Sequence, residues 1–503
     1  MQLDLKKLPF GQNMSRHLLF EEWDPQGRGY EKGYWLALAS ESSSMFGGTV
    51  ERAAGLIRVK ALADGAEQPA EITATPAMAA LSAPGGSIRF AIDGSALLVE
   101  GEGLGLQLTV KLGHGETVIK TDEGCVLNMG ATRYIVEMKQ GSCSIEVGWD
   151  LVGLHSTDPV LTLTPVDGKL EAVLGDSDAA FTKHPIAANA AEAGKKAEAA
   201  FEAFKAVVRG TNEIYAYVLW LSYMSLQGQA LVMSNKIGAV KALMRNQNLA
   251  ALAYKEAEPV FDLVLAQLRL MTAGGLVPAW VKGSSILPEA TVPLWGLVML
   301  RASGWEKVPA AKLEETYALL TKAIGWWEAN RSKDGEFFYA YAHESGWDHC
   351  AILGGANPAV TPDLAGWMAA NYAALDKLSK LLGKVEDFAA KSAAQVEVLK
   401  SLWTGENYIC RSALDASVKT PCTTALSLLT GVLGDLLPKD IAEALDAWQI
   451  TGFTRVMTGL LALQCAKKSA ALVAAGAEKP KAGAAAFYDP TLCAILLALE
   501  ERS

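Results

Sequence analysis

The residues best suited to chemistry lie between Arg331 and Pro362, in the stretch RSKDGEFFYAYAHESGWDHCAILGGANPAVTP. Here Glu344, Trp347 and Asp348 stand with His343 and His349, directly after Phe337, Phe338, Tyr339 and Tyr341. A carboxylate beside an indole is suited to acid catalysis. The apolar ring desolvates the carboxyl and raises its pKa, and a ring face packs well on the C–H face of a sugar. The same residues also fit a capping Asp after a Gly turn, next to a half-buried Trp. A long non-helical connection on a helical scaffold is where function concentrates, because its backbone need not serve a core.

Other candidates are sparser. Arg245, Asn246, Gln247 and Asn248 form a polar run able to hydrogen-bond hydroxyls, or to cap the helix they begin. Trp280 and Trp295 flank a Pro-rich segment; Trp280, beside Pro278 and Lys282, suits a sugar-stacking wall, whereas aromatics at this spacing also serve cores. Trp326 and Trp327 lie on a helix, so at most one can face a pocket. Asn235 and Lys236 follow an apolar helix and are placed to reach a pocket mouth. In PFGQNMSRHLLFEEW, residues 9–23, Arg16, His17, Glu21 and Glu22 cluster near the start. That segment is expected against the helical half, as part of a rim or as an interdomain ion-pair patch. No Gly-rich phosphate loop occurs in strand–helix context, and no Ser–His–Asp constellation is suggested.

These residues need a scaffold. At 503 residues, half of them apolar, the chain exceeds what one core organises. A formal charge of −10 disfavours a polyanion such as nucleic acid as partner. Seven scattered cysteines, without CxxC pairs, read as reduced thiols of a cytoplasmic protein and supply no zinc site. The opening MQLDLKKLPFGQ lacks the apolar run of a signal peptide. The apolar stretch from Ile214 to Val232 carries Gln227 and Gln229 and is expected in a buried core, not a membrane.

Up to about residue 180, short segments rich in Val, Ile, Leu and Thr alternate with Gly- and Asp-containing turns about every ten residues. Ser87–Ile92, Leu97–Val99, Leu106–Leu112, Thr117–Lys120, Arg133–Met138 and Ser144–Val147 are expected strands of an antiparallel β-sandwich. From about residue 186 the pattern turns helical. Helices are expected at 191–209, 213–230, 245–256, 258–273, 291–303, 309–331, 363–384, 386–402, 422–433, 438–447, 451–474 and 489–501. Some are polar on one side and others apolar all round, as an (α/α)6 toroid of outer and inner helices requires. The absence of a repeat of 30 to 45 residues disfavours a solenoid. The fold class is thus α+β multidomain, with a sandwich over 1–185 and a toroid over 186–503.

ESGWD, Glu344–Asp348, resembles the signature of glycoside hydrolase families 63 and 37, the processing α-glucosidases, trehalases and mannosylglycerate-hydrolase-like enzymes. The resemblance extends over 274–300, 363–410, 433–445 and the closing FYDPTLCAILLALE. It implies that Asp348 is a general acid and that a Glu shortly before the final inner helix is the base. The Glu in the matching stretch AAGAEKPKAGAAAFYDPT is Glu478; Asp489 and Glu344 remain alternatives, Asp489 also fitting a helix N-cap before Pro490. Asn246 stands where the family places a sugar-holding Asp, a departure that points to altered specificity.

The expectation is therefore an inverting, exo-acting glycosidase for a small α-linked glycoside or oligosaccharide, with Asp348 and Glu478 flanking the sugar. Glu344, Trp347, His349, Arg245, Asn246, Gln247, Trp280, Lys282 and Trp295 are the expected binding residues. Neither metal nor cofactor is called for. The alternatives are a sugar-binding protein that has lost its base and, on weaker grounds, a polysaccharide lyase.

Overall fold

Alternating apolar residues build two antiparallel sheets in the first part of the chain. The computed structural model describes residues 1–21, 33–39, 56–110, 117–129, 132–152, 155–156, 158–176, 187–234, 236, 240–283, 285–345, 357–422, 430–446 and 490–500. One sheet runs in the order Phe10–Gly11, His17–Glu21, Tyr34–Leu38, Leu56–Ala63, Gly105–Val110, Val160–Thr164, Ser142–Glu146, with Ala66–Gln68 as a hairpin on Leu56–Ala63. The other runs Thr117–Lys120, Gly124–Met129, Thr132–Gln140, Lys169–Asp176, Ala96–Glu102, Gly86–Asp93, Ala79–Ala83, Glu71–Ala74. Asp64 and Gly65, with φ of 50° and 79°, make the two-residue turn that fixes one hairpin register. Phe10, Leu36, Val59, Phe90, Val99 and Leu106 fill the space between the sheets.

The six strand segments expected from the sequence fall on strands, although Val147 lies past the end of Ser142–Glu146, and Lys111 and Leu112 lie outside the described residues. The sandwich also holds strands that were not expected, among them His17–Glu21 and Tyr34–Leu38.

The last sandwich strand ends at Asp176, and helix α1 occupies Ala190–Val207. Its start is tied to the second sheet. The Asp93 carboxylate accepts from Ala187 N at 2.5 Å, and Glu100 accepts from Ala190 N at 2.6 Å. Asn189 accepts from Glu192 N while Glu192 accepts from Ala188 N, so two amides that begin the helix are satisfied by side chains.

The helices that follow are α2 (Glu213–Leu221), α3 (Met244–Ala251), α4 (Ala257–Leu268), α5 (Trp295–Leu300), α6 (Ala310–Asn330), α7 (Pro362–Leu381), α8 (Phe388–Ser401), α9 (Lys439–Asp446) and α10 (Pro490–Glu500). In α7, 15 of 20 residues are buried, as an enclosed helix demands; in α6 only 6 of 21 are, at Leu313, Thr316, Leu320, Ala323, Ile324 and Trp327. That 3–4 spacing is one stripe facing inward. The inner succession runs α3, α5, α7 and the 3-10 segment Thr430–Leu436, while α10 packs on both α2 and α3 and returns the chain to the start of the ring. Outside it, α4 covers α3 and α5, α6 covers α4 and α7, and α8 covers α7. The result is an antiparallel sandwich followed by an α/α toroid.

Two inner contacts depend on specific residues. A Cβ on Gly296 would come within 2.4 Å of the Asn371 Cα, so only glycine lets α5 approach α7 this closely. Asn371 answers with a hydrogen bond from Gly296 N at 2.8 Å and one to the Pro293 carbonyl at 2.7 Å. Between α3, α4 and α5, the amides of Asn248 and Gln267 exchange hydrogen bonds of 3.1 and 3.0 Å, and the Trp295 indole N–H donates to Gln267 at 3.3 Å. A buried polar cluster satisfied in this way fixes one arrangement of its helices.

The helix expected over 213–230 stops at Leu221. Tyr223–Leu226 and Gln229–Val232 form a hairpin around Gln227–Gly228, whose φ angles are 51° and 72°. The helix expected over 291–303 shortens to α5 because Pro293 delays its start. Residues 423–429, and the whole helix expected at 451–474, lie outside the described residues. No helix among the described residues is long and apolar enough to cross a membrane.

Candidate functional site

The loop before α7 is built from its neck upward. Tyr339 and Ala359 exchange two backbone hydrogen bonds of 2.9 Å, which close the base of the connection. Inside the neck, Arg331 holds the Glu344 carboxylate through Nη2 at 2.7 Å and Nε at 2.9 and 3.1 Å, and Ala340 N donates to it at 2.7 Å. Glu344 is only 2% exposed. Below the neck, the Tyr339 hydroxyl donates to Asp363 Oδ2 at 3.1 Å. Asp363 is the second residue of α7 and buried. Burial raises its pKa, opposed by hydrogen bonds from Thr361, Tyr339 and the local backbone that favour the carboxylate.

This geometry corrects one expectation. Glu344 is not free to hold a sugar; it braces the loop, and its acceptor capacity is turned inward. Trp347, Asp348 and His349 follow it directly but lie outside the described residues, as do Glu478 and Asp489. The described flanks of the segment are Ser345, which adjoins the braced Glu344, and Asn357, which precedes the Ala359 side of the neck.

The polar run at the start of α3 divides sharply. Gln247 accepts from Val232 N at 2.7 Å and donates to the Val232 and Leu243 carbonyls at 2.7 and 3.2 Å, so it pins the hairpin and is not a binding residue. Asn248 belongs to the Gln267 cluster. Trp295, expected at a sugar wall, is 1% exposed and serves that cluster instead. Arg245 is half-buried. Asn246 is 4% exposed; its Nδ2 reaches Ser234 Oγ at a long 3.4 Å, and its buried Oδ1 has no hydrogen-bond partner among the described residues.

Trp280 is brought to the same place. Its strand, Pro278–Lys282, pairs with Ala242–Leu243, which set Trp280 opposite Leu243 at the entrance of α3. Lys241 covers one face of its indole at 4.6 Å, leaving a half-exposed ring with one face engaged. Lys282, at the end of the strand, is half-buried. On α6, Trp327 is in the core and Trp326 lies under Arg331.

The N-terminal segment meets this region, as the sequence suggested. The Tyr217 hydroxyl on α2 donates to the Pro9 carbonyl at 2.9 Å and accepts from Gly11 N at 3.1 Å, and Met14 N donates to the Tyr223 carbonyl. Lys236, 6% exposed, donates to the carbonyls of Gln12 and Ser15 at 3.1 and 2.9 Å. Burial alone pulls its pKa down to about 7. His17 turns away into the sandwich, where Nε2 meets the Tyr134 hydroxyl at 2.8 Å; burial, then Arg16, lowers its pKa to about 3. Glu21 pairs with Lys6 at 3.3 Å. Glu22 and Asn235 lie outside the described residues. Sequence reasoning valued Lys236 too little, since a lone lysine after an apolar helix carries no visible sign that it will be enclosed.

No protein-family model matches the chain, and no curated protein matches it. Solved structures do resemble it. The family GH92 α-mannosidase of Bacteroides thetaiotaomicron, in complex with mannoimidazole, aligns at a TM-score of 0.50 and 9% identity, over 89% of this chain and 73% of that one. A bacterial glucoamylase complexed with acarbose aligns at 0.47 and 11%, over 88% and 77%. The GH63 mannosylglycerate hydrolase of Thermus thermophilus, in complex with Tris, aligns at 0.43 and 11%, over 57% and 99%. The likeness to the α-mannosidase establishes the fold: a sandwich followed by the (α/α)6, six-hairpin toroid of such glycosidases.

Proposed function

We propose that the protein is a glycoside hydrolase that works by inversion at the mouth of its toroid. The observation that carries this reading is the braced loop before α7. Asp348 follows by four residues a Glu344 that is locked to Arg331, on a connection closed by the Tyr339–Ala359 bridge. An acid catalyst must be held within a fraction of an ångström of its leaving group, and a buried ion pair at Glu344, on the described flank that leads to Asp348, supports such placement. In this reading Asp348 protonates the glycosidic oxygen and Glu478 activates water on the opposite face, the two carboxyls standing about 6.5–9.5 Å apart. A small, exo-cleaved α-linked glycoside or oligosaccharide is the substrate class, and Asn246, Arg245, Trp280 and Lys282 contact it.

The test is direct. Asp348→Asn removes turnover of nitrophenyl glycosides and disaccharides while leaving stabilisation by bound sugar intact; full activity in that variant removes the assignment. Glu478→Gln and Asp489→Asn compared side by side identify the base, and proton NMR of the first-formed anomer reads the stereochemistry.

The Asn246 amide oxygen, without a partner among the described residues, favours a second reading, a sugar-binding protein without turnover. Sugar-dependent stabilisation combined with inactivity of the unmodified chain on the whole panel selects it.

A further inference from the structure

We infer that the junction of the N-terminal segment with the entrance of α3 is a binding site for the anionic group of an acidic sugar, with Lys236 as its cation. The inference rests on the proposed glycosidase reading and deepens it by naming a substrate class.

Lys236 is enclosed, and its ammonium faces two carbonyl oxygens, those of Gln12 and Ser15, with no carboxylate among its partners in the described residues. Burying an ammonium without a counter-charge is costly. Its depressed pKa, caused by desolvation alone, agrees with an absent counter-ion. Two carbonyls satisfy two of its three N–H donors, and the third has no partner among the described residues.

The polar groups around it are incomplete too. Among the described residues, Gln12, 7% exposed, leaves Nε2 without a hydrogen-bond partner, and the neighbouring Asn13 Oδ1 is likewise buried and unmatched. Ser234, whose N–H closes the turn onto the Lys241 carbonyl, carries the hydroxyl that Asn246 reaches at 3.4 Å, and Asn246 Oδ1 is the third unmatched atom. Buried polar atoms are nearly always paired, so three unmatched atoms on Gln12, Asn13 and Asn246, with no counter-charge for Lys236 among the described residues, point to a place completed by a ligand. The cation calls for an oxyanion, and the neutral amides and hydroxyl call for hydroxyl groups. A sugar bearing a carboxylate or a phosphate supplies both.

Isothermal titration of the full chain with glucose, glucuronate and glucose 6-phosphate tests this. At least one of the two anionic sugars should bind about 10-fold to 100-fold more tightly than glucose, the range of one charge-assisted hydrogen bond; whichever binds better identifies the anionic group. Lys236→Met should abolish that preference. Because this change also removes two bonds to the N-terminal segment, Asn246→Asp provides a second variant: it leaves the lysine's own bonds in place, adds a carboxylate to the cluster, and should also abolish the preference. Equal binding of all three sugars, or a preference that survives both substitutions, overturns the inference. Hydrolysis of neutral glycosides without anion preference would remove it and leave the hydrolase standing. Anion preference without turnover would do the opposite.

Discussion

The connection before α7 and the entrance of α3 occupy equivalent positions, each at the N-terminal end of an enclosed helix, yet their polar groups are treated differently. Before α7, Glu344 has Arg331 and the Ala340 N–H, and Tyr339 has Asp363 and a backbone bridge. At α3, Lys236 lacks a counter-charge among the described residues, while Gln12, Asn13 and Asn246 each present an unmatched buried atom. Saturated groups rigidify what they hold, and unsaturated ones are stabilised by whatever completes them. The first region is therefore a mount, and the second is, in the inference drawn above, a receptacle. The proposed glycosidase would use both, one beside its acid and one to recognise the sugar.

The largest effect should come from breaking the mount. Arg331→Ala leaves the Glu344 carboxylate buried and unpaired, which costs about 3–5 kcal/mol of stability. Combining Arg331→Met with Glu344→Gln removes both charges, keeps an acceptor for the Ala340 N–H, and should recover most of that loss. Urea denaturation followed by near-UV circular dichroism measures both. A double variant as unstable as the single one would show that the pair does more than neutralise itself.

Next comes the pH dependence of the receptacle. An unfolded lysine titrates near 10.4, well above the folded Lys236 at about 7. Between these values the unfolded chain binds more protons, so Lys236 makes stability rise with pH across the window, by at most about 1.4 kcal/mol per unit. In Lys236→Met this contribution disappears. Subtracting the two stability curves over pH 7 to 9 cancels the other titrating groups. A flat difference would mean that the lysine has a counter-charge after all.

How much of this was legible beforehand follows from the kinds of signal involved. Six of the sandwich strands were legible because their period of two and their Gly-Asp turns are local. The hairpin after α2 was hidden: in YMSLQGQALV apolar residues resume soon after the turn, and Gln-Gly is a weaker turn signal than Asn-Gly, so a long helix was expected. Site residues were harder still, since side-chain type says what a group can do and not what it already does. Gln247 and Asn246 are adjacent amides of nearly equal promise in sequence. Only the fold shows that Gln247 is bound to the Val232 backbone, whereas Asn246 Oδ1 has no partner among the described residues. Glu344 failed as a binding residue for the same reason: its partner, Arg331, is thirteen positions away.

Tyr339→Phe is a milder test of the mount. It deprives the buried Asp363 of one of the hydrogen bonds that favour its carboxylate and should cost about 1–3 kcal/mol. The loss should grow with pH above the acid range, because the charged form of Asp363 then has one partner fewer. A loss independent of pH from 4 to 7 would place the hydroxyl's contribution elsewhere.

The smallest effect carries the opposite sign. Asn246→Leu replaces an amide by an apolar group of similar size at a position 4% exposed. It sacrifices one long hydrogen bond to Ser234 and removes a buried oxygen that has no partner among the described residues. Without ligand the variant should therefore equal or exceed the unmodified chain in stability, by up to roughly 1 kcal/mol. Its gain in Tm on adding sugar should shrink. A residue belonging to a mount cannot behave this way, since truncating it always exposes a partner's unmet need. If Asn246→Leu instead destabilises the protein as strongly as Tyr339→Phe, the amide is holding structure, and the division between the two regions fails at the residue on which it depends most.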